Sequence, residues 1–62
     1  MAVVQTVTLQ ADRGEVIIRV LVSVENGVYF VCRIEELEAA RREQREPVCI
    51  GFRREYVVGL NS

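Results

Sequence analysis

The feature that most constrains this chain is a long segment rich in Val, Ile and Leu that two turn signals interrupt. Thirteen of the residues from 3 to 31 are of these three types, and β-branched side chains at this density favour strands. The first turn signal is Ala11-Asp12-Arg13-Gly14. The second is Asn26-Gly27, which is the strongest short signal for a hairpin. The segment therefore predicts an antiparallel meander of three long strands.

The apolar pattern also predicts how these strands pair. A four-residue first loop sets Val7 opposite Ile18 and brings the apolar residues of both strands to one face. A two-residue second loop sets Ser23 opposite Phe30, whereas a three-residue loop sets Val20 opposite Cys32 and fits the pattern better. We therefore expect the three-residue loop, with a bulge at its glycine. The predicted core face comprises Val3, Val7, Leu9, Val16, Ile18, Val20, Val22, Val24, Val28, Phe30 and Cys32.

From residue 34 the apolar period changes from strand-like to helical. Ile34, Leu37 and Ala40 recur at helical spacing. Acidic residues at the start of this segment and arginines near its end complement the helix dipole. Because Pro47 disfavours helical structure at the residue before it, we predict one helix over about 34–45. Two short strands are expected after it, at 48–52 and 56–60.

The segment from Gly51 to Val57, Gly-Phe-Arg-Arg-Glu-Tyr-Val, resembles the one that closes SH3-type barrels. The resemblance implies a strand–turn–strand closure. The Ala-Leu-Tyr opening, the groove tryptophan and the turn proline of that family are missing, so binding of proline-rich peptides is not expected. We predict a single mainly β (α+β) domain over 1–62, either a small SH3-like barrel or an open sheet with one helix.

The composition removes most enzymatic chemistry. The chain has no His, and all eight of its basic residues are Arg. Without His, neither a Ser-His-Asp nor a Cys-His arrangement can be built. Without Lys, Schiff-base chemistry is also excluded. We therefore expect no catalytic residues, no cofactor and no metal site, and a thiol-dependent activity is the enzymatic alternative that the composition leaves open.

The two cysteines, Cys32 and Cys49, both fall in predicted strands. We interpret them as small buried apolar residues, which is common for free cysteine. The alternatives are a disulfide, a metal site, or a reactive thiol at Cys49 whose pKa the nearby Arg53 and Arg54 lower. The sequence leaves open whether the two cysteines are close in space.

Five of the eight arginines lie in the C-terminal third of the chain and form a predicted anion-binding cluster. Arginine recognises phosphate and carboxylate groups through its planar guanidinium. Acidic residues interleave with the cluster and the net charge is −1, so a mixed solvated surface is the alternative. The cluster carries our second functional hypothesis, a small binder of nucleic acid or an anionic ligand. Its members are Arg41, Arg42, Arg45, Arg53 and Arg54.

The function that the sequence favours is a non-enzymatic interaction module that self-associates. In the predicted register, Ile17, Leu21, Tyr29 and Val31 form an apolar patch with a polar rim on the second face of the sheet. Such a patch on a small chain commonly marks an interface, and a two-fold dimer is the commonest assembly. We expect a homodimer, with another protein as the second choice of partner.

The remaining expectations concern the source and location of the chain. Its N-terminal residues contain no basic segment followed by a long apolar one, so we expect a cytoplasmic protein with no membrane contact. Arginine in place of lysine throughout is typical of a GC-rich genome, and we expect a bacterial source.

Overall fold

The computed structural model describes residues 4–61, in which five strands, one α-helix and one 3₁₀ helix follow one another. The order of these elements confirms the predicted meander, helix and terminal strand pair, joined by a short helical turn. The elements are β1 (Thr6–Gln10), β2 (Val16–Glu25), β3 (Val28–Cys32), α1 (Ile34–Glu43), β4 (Ile50–Arg53), the 3₁₀ helix (Arg54–Tyr56) and β5 (Val57–Asn61).

All the strands belong to one antiparallel sheet with the order β4-β3-β2-β1-β5. β4 and β5 are therefore its two edges, and within residues 4–61 no pairing between them closes the sheet. Of the two predicted architectures, the structure has the open sheet with one helix.

β2 joins two halves of this sheet. Its first half pairs with β1 and its second half with β3, and Val20 pairs in both directions, with Thr6 and with Cys32. The inner faces of the two halves pack together, since Val31 of β3 joins residues of β1 and β5 in one buried cluster. The cluster consists of Val7, Leu9, Val31 and Val57, surrounded by the partly buried Ile17, Leu21, Tyr29, Phe52 and Tyr56.

The pairing of β1 with β2 differs from the prediction by one residue. Val7 lies opposite Arg19 rather than Ile18. The N–H of Ala11 donates to the carbonyl of Glu15 at 2.8 Å, so the loop between them has three residues. Its last residue, Gly14, has φ +84°, as expected for a three-residue hairpin loop that ends in a left-handed glycine. The turn thus overrides the side-chain pattern that favoured four residues.

A shift of one residue moves the side chains of a strand to the other face. Val16 and Ile18, predicted in the core, are 59% and 61% exposed on the outer face. Ile17, predicted outside, packs against the core instead. Val3, predicted opposite Val22, lies outside the described residues. The predicted core residues that are buried are Val7, Leu9, Val20 and Cys32.

The hairpin of β2 and β3 contains both of the registers that the sequence offers. At the turn, Asn26 and Gly27 have φ +52° and +77° and form a two-residue loop, so Ser23 lies opposite Phe30. Farther along, Val20 lies opposite Cys32, as predicted. A β-bulge between Leu21 and Ser23 supplies the extra residue. The bulge therefore lies within β2 and not at Gly27.

The helix α1 lies on the outer side of the sheet, where it is anchored by its last turn. Ala40 is its buried residue, while Leu37 is half-buried beside Val20 and Ile34 is 45% exposed. Gln44 adopts a left-handed conformation with φ +53°, which ends a helix. The helix is therefore shorter than predicted at its C-terminal end.

Candidate functional site

A groove of about 560 Å³ lies between β2 and β4. Because β3 ends at Cys32, the first part of β2 pairs only with β1 and no described strand lies along its other edge. Ile17 and Arg19 of β2 therefore face Ile50 and Phe52 of β4 across the groove. The groove leads inward to the core, because it is also lined by Val31, which is buried.

The β4 side of the groove forms an exposed apolar ridge. Val48 and Ile50 are 74% and 63% exposed, the highest values among the large apolar side chains of residues 4–61. Ile50 is paired with Val31 in the β3–β4 ladder, so the ridge rises directly beside the buried core. Solvent thus meets a continuous apolar surface from the core outward.

The rim of the groove carries charges of both signs. Arg19, Arg33 and Glu35 line it, and none of the three forms an ion pair with another described residue. Arg19 as a whole is half-buried, and its Nη1 makes an exposed hydrogen bond to the carbonyl of Ile18 at 2.9 Å. These charged groups can therefore pair with groups brought by a partner.

Glu36 fixes the position of the ridge. Its carboxylate accepts hydrogen bonds from Nη1 and Nη2 of Arg45 at 2.6 and 3.3 Å, and from the backbone N–H of Val48 at 2.8 Å. The hydrogen bond from Arg45, and then that from Val48, lowers the pKa of Glu36 to about 2. The first turn of α1 is thereby tied to the segment that leads into β4.

Cys32 and Cys49 lie next to each other. Val31 pairs with Ile50, so the next position of this antiparallel register places the two cysteines opposite one another. Both are free thiols; Cys32 is buried and Cys49 half-buried. Burial, followed by the proximity of Cys49 and of Glu36, raises the pKa of Cys32. The thiol of Cys49 also donates to the carbonyl of Pro47 at 3.5 Å.

The four residues predicted to form an exposed patch belong to the inner face. Val31 is 1% exposed, and Ile17, Leu21 and Tyr29 pack against the core cluster. The reason is the register of β2, which exchanges the two faces. Ile17 and Val31 still line the groove, whereas Leu21 and Tyr29 do not. Self-association stays a prediction, but the residues that expose apolar surface are different ones.

The five predicted anion-binding arginines are not gathered into one site. Arg45 is held by Glu36 and by Glu43, whose carboxylate accepts from Nε at 2.8 Å. Arg54 donates from Nη1 to the carbonyl of Val57 at 3.1 Å and lies over the ring of Tyr29 at 6.0 Å. Internal contacts therefore occupy two of the five guanidinium groups.

The other three predicted arginines are exposed at separate places. Arg41 and Arg42 lie in the last turn of α1, on the outer side of the sheet. Arg53 ends β4 and lies 4.0 Å from the carboxylate of Glu55. Because these arginines are far apart and have acidic neighbours, they form a surface of mixed charge and not one anion-binding cluster.

Sequence reasoning missed three of the residues that define the groove. Arg19 was expected on the polar rim of the outer patch, but the three-residue loop turns it inward. Val48 and Ile50 were predicted as strand residues with no role in an interface, but they are the most exposed large apolar side chains of residues 4–61. The Asp-Arg-Gly turn was the one signal that could have corrected the position of Arg19.

Residues 4–61 contain no group of three or more His, Cys, Asp and Glu side chains that could hold a metal ion. Their helices are too short and too polar to cross a membrane. Comparisons with protein-family models, with curated proteins and with solved structures find no match to this chain.

Proposed function

We propose that this protein is a non-enzymatic interaction module that forms a homodimer through the groove and the edge of β4. We call this region the β4 surface and define it by Ile17, Arg19, Glu35, Val48 and Ile50. The observation that carries the proposal is the exposed apolar ridge of Val48 and Ile50 beside the core. An apolar surface of this kind commonly marks an interaction site on a small protein.

The surface area of the chain supports a partner. The chain exposes 4754 Å², whereas a compact monomer of its mass exposes roughly 4,100 Å². The excess is on the order of 600 Å², close to the ~800 Å² that each partner buries in an interface of standard size. Ten large apolar side chains of residues 4–61 are exposed, against seven apolar residues that are buried. Two of these ten, Val48 and Ile50, lie in the β4 surface, and a second copy would bury them.

The chemistry of the β4 surface fits a second copy of the same chain. A two-fold interface requires a patch that complements itself. Arg19 and Glu35 stand on the same rim with opposite charges and no ion-pair partner among residues 4–61. In the dimer, Arg19 of each copy pairs with Glu35 of the other. Within residues 4–61, no strand pairs with the outer edge of β4, and antiparallel pairing of two such edges obeys the same symmetry.

The other edge of the sheet is less suited to pairing. β5 has a register shift against β1 between Thr8 and Leu9, and bulges of this kind protect an edge from further strands. β4 pairs with β3 without a register shift. Its charged residue is Arg53, which lies at the end of the strand. The comparison of the two edges favours β4.

Light scattering across micromolar concentrations tests the proposal, with two matched variants. Ile50→Glu places a charge on the ridge, where the residue is 63% exposed, and Val58→Glu places one on β5, where the residue is 56% exposed. We expect the unchanged chain and Val58→Glu to be dimers, and Ile50→Glu to be a folded monomer. A constant mass near 7.1 kDa for the unchanged chain would refute the proposal.

A charge exchange tests the proposed ion pair. Arg19→Glu alone should weaken the dimer at least about tenfold, because like charges oppose across the interface. Combining it with Glu35→Arg should restore the affinity. Failure of the double variant to recover, with both variants folded, would show that the two groups do not meet.

Measurements at increasing salt concentration distinguish the dimer from the second hypothesis, which is binding of nucleic acid or an anionic ligand. Phosphate contacts make affinity fall steeply as salt rises. Oligonucleotide binding that weakens in this way, with a monomeric chain, would favour the arginines over the β4 surface. Dimerisation through apolar contacts is expected to change little over the same range of salt.

We also propose that the sheet is related to an SH3-like barrel. The segment that resembles an SH3-type closure forms a strand, a 3₁₀ turn and a strand, with β4 and β5 at opposite edges of the sheet. This arrangement supports an SH3-like barrel that is left open along the groove.

A further inference from the structure

We propose that Cys32 and Cys49 are a thiol pair that hydrogen peroxide converts to an intramolecular disulfide. The proposal rests on the placement of the two sulfurs and is independent of the dimer. It assigns a modification site at the point where β3 and β4 meet the segment that contains α1.

The register of the sheet places the two cysteines in a geometry that a disulfide can bridge. β3 and β4 pair from Val28 with Arg53 to Val31 with Ile50, and the next position along the same register is Cys32 with Cys49. Directly opposed residues of an antiparallel pair have Cα atoms ~4.5–5.5 Å apart, and disulfides span ~4.4–6.8 Å. The side chains of opposed residues also point to the same face of the sheet.

The surroundings of the two side chains agree with this register. Cys49 is one of the groups that raise the pKa of Cys32, so the two thiols lie close together. Cys32 lines the groove beside Val48, and Cys49, the residue after Val48, lines a shallow cavity with Ser23 and Phe30. That the two thiols share one face of the sheet follows from the register of β3 and β4.

The exposure of the two thiols sets the order of the reaction. Cys49 is half-buried and Cys32 is 5% exposed, so peroxide reaches Cys49 first. The Cys49 thiolate attacks one peroxide oxygen, the O–O bond breaks, and Cys49 sulfenic acid and hydroxide form; hydroxide takes up the proton that the thiol released. The sulfur of Cys32 then attacks the sulfur of Cys49, the S–O bond breaks, and the leaving hydroxide takes the proton of Cys32. Two thiols and one peroxide thus give one disulfide and two waters.

The bridge would enclose residues 33–48 and therefore all of α1. Glu36 already ties the first turn of α1 to Val48 by a hydrogen bond. A disulfide adds a covalent tie one residue farther along, at the start of β4. The oxidised chain is expected to hold α1 and the ridge of Val48 and Ile50 more firmly.

Equilibration of the full chain with reduced and oxidised glutathione tests the pair. The fraction of intramolecular disulfide is measured by intact mass, and its position by mapping peptides under non-reducing conditions. We expect the equilibrium constant in the folded chain to exceed that in urea at least about tenfold, equivalent to about 30 mV. A ratio of one or less would refute the proposal, as would a disulfide that joins two chains.

A variant with one displaced thiol is the matched control. Cys49→Ser combined with Val58→Cys keeps two cysteines but moves the second one to an exposed position on β5, at the other edge of the sheet. This variant should lose the tenfold preference for the folded state, while treatment of the unchanged chain with peroxide removes both thiols together. Equal preference in both chains would show that the register does not bring Cys32 and Cys49 together. Should the variant fail to fold, the ratio in the unchanged chain decides the question alone.

Discussion

The gap between β2 and β4 has two ends that differ in what covers them. At one end, the 3₁₀ helix brings Tyr56 against Phe52, with the ring centroids 6.5 Å apart and the planes at 70°. At the other end, Ile17 and Ile50 face each other across an open groove. We call these the sealed end and the open end.

The difference follows from the two connections that the chain makes to β4. The connection from β4 to β5 is one 3₁₀ turn, and it carries Tyr56 directly onto the inner face. The connection from β3 to β4 contains α1, which lies on the outer side beside Val20 and leaves the groove on the inner side open. The gap between β2 and β4 is therefore part of the core at its sealed end and accessible to a partner at its open end.

The largest expected effect compares two residues that pair with each other. Leu9 of β1 and Ile17 of β2 are directly opposed, but Leu9 is 1% exposed and Ile17 lines the groove. We expect Leu9→Ala to cost about 3 kcal/mol of unfolding free energy through the cavity it leaves, and Ile17→Ala to cost about 1 kcal/mol. Urea unfolding at a concentration where the chain is monomeric measures both. Equal costs would mean that the groove is closed in solution.

Most of the fold could be predicted because it depends on local signals. The Asn26-Gly27 turn, the helical spacing after Ile34 and the strand–turn–strand segment near Tyr56 each appear where the sequence places them. The faces of β2 could not be read from its side chains, because it is apolar at Ile17 and Leu21 as well as at Val20. In such a strand, the turn geometry sets the register.

The candidate site could be predicted only in part, for the same reason. Ile17 and Val31 line the groove, as members of a predicted interface whose assigned face was wrong. The exposure of Val48 and Ile50 depends on where α1 lies, and the alternation of residues 48, 50 and 52 does not contain that information. The proximity of Cys32 and Cys49 depends on the β3–β4 register, which forms between segments that are distant in sequence.

The second expected effect tests whether one turn supports both ends of the gap. Gly27 has φ +77°, which a β-branched residue disfavours, so Gly27→Val should cost about 1 kcal/mol or more. The turn places Tyr29 under Arg54 at the sealed end and Val31 beneath the open end, so both ends should loosen together. Amide hydrogen exchange at the two ends provides this measurement.

Asn26→Gly is the control for this turn. Glycine accepts the φ of +52° found at Asn26, so this variant should keep the two-residue loop and change stability by less than about 0.5 kcal/mol. An unchanged unfolding midpoint in Gly27→Val would contradict the loop and with it the bulge at Val22.

The smallest expected effect lies at the open end and depends on pH. Glu36 is hydrogen-bonded by Arg45 and by the N–H of Val48, and these bonds hold its pKa at about 2 against an ordinary value of 4.5. Because the pKa is lower in the folded state, ionised Glu36 stabilises the fold above pH 4.5, and this contribution is lost as the pH falls towards 2. The effect is small because exposed ion pairs stabilise little.

Urea unfolding across this range should show Glu36→Gln less stable than the unchanged chain at pH 7, with the difference shrinking on acidification. Glu38→Gln, two residues away, exposed and without an ion pair among residues 4–61, should follow the unchanged chain at every pH. If Glu36→Gln did so too, the tie between α1 and Val48 would not contribute to holding the ridge in place.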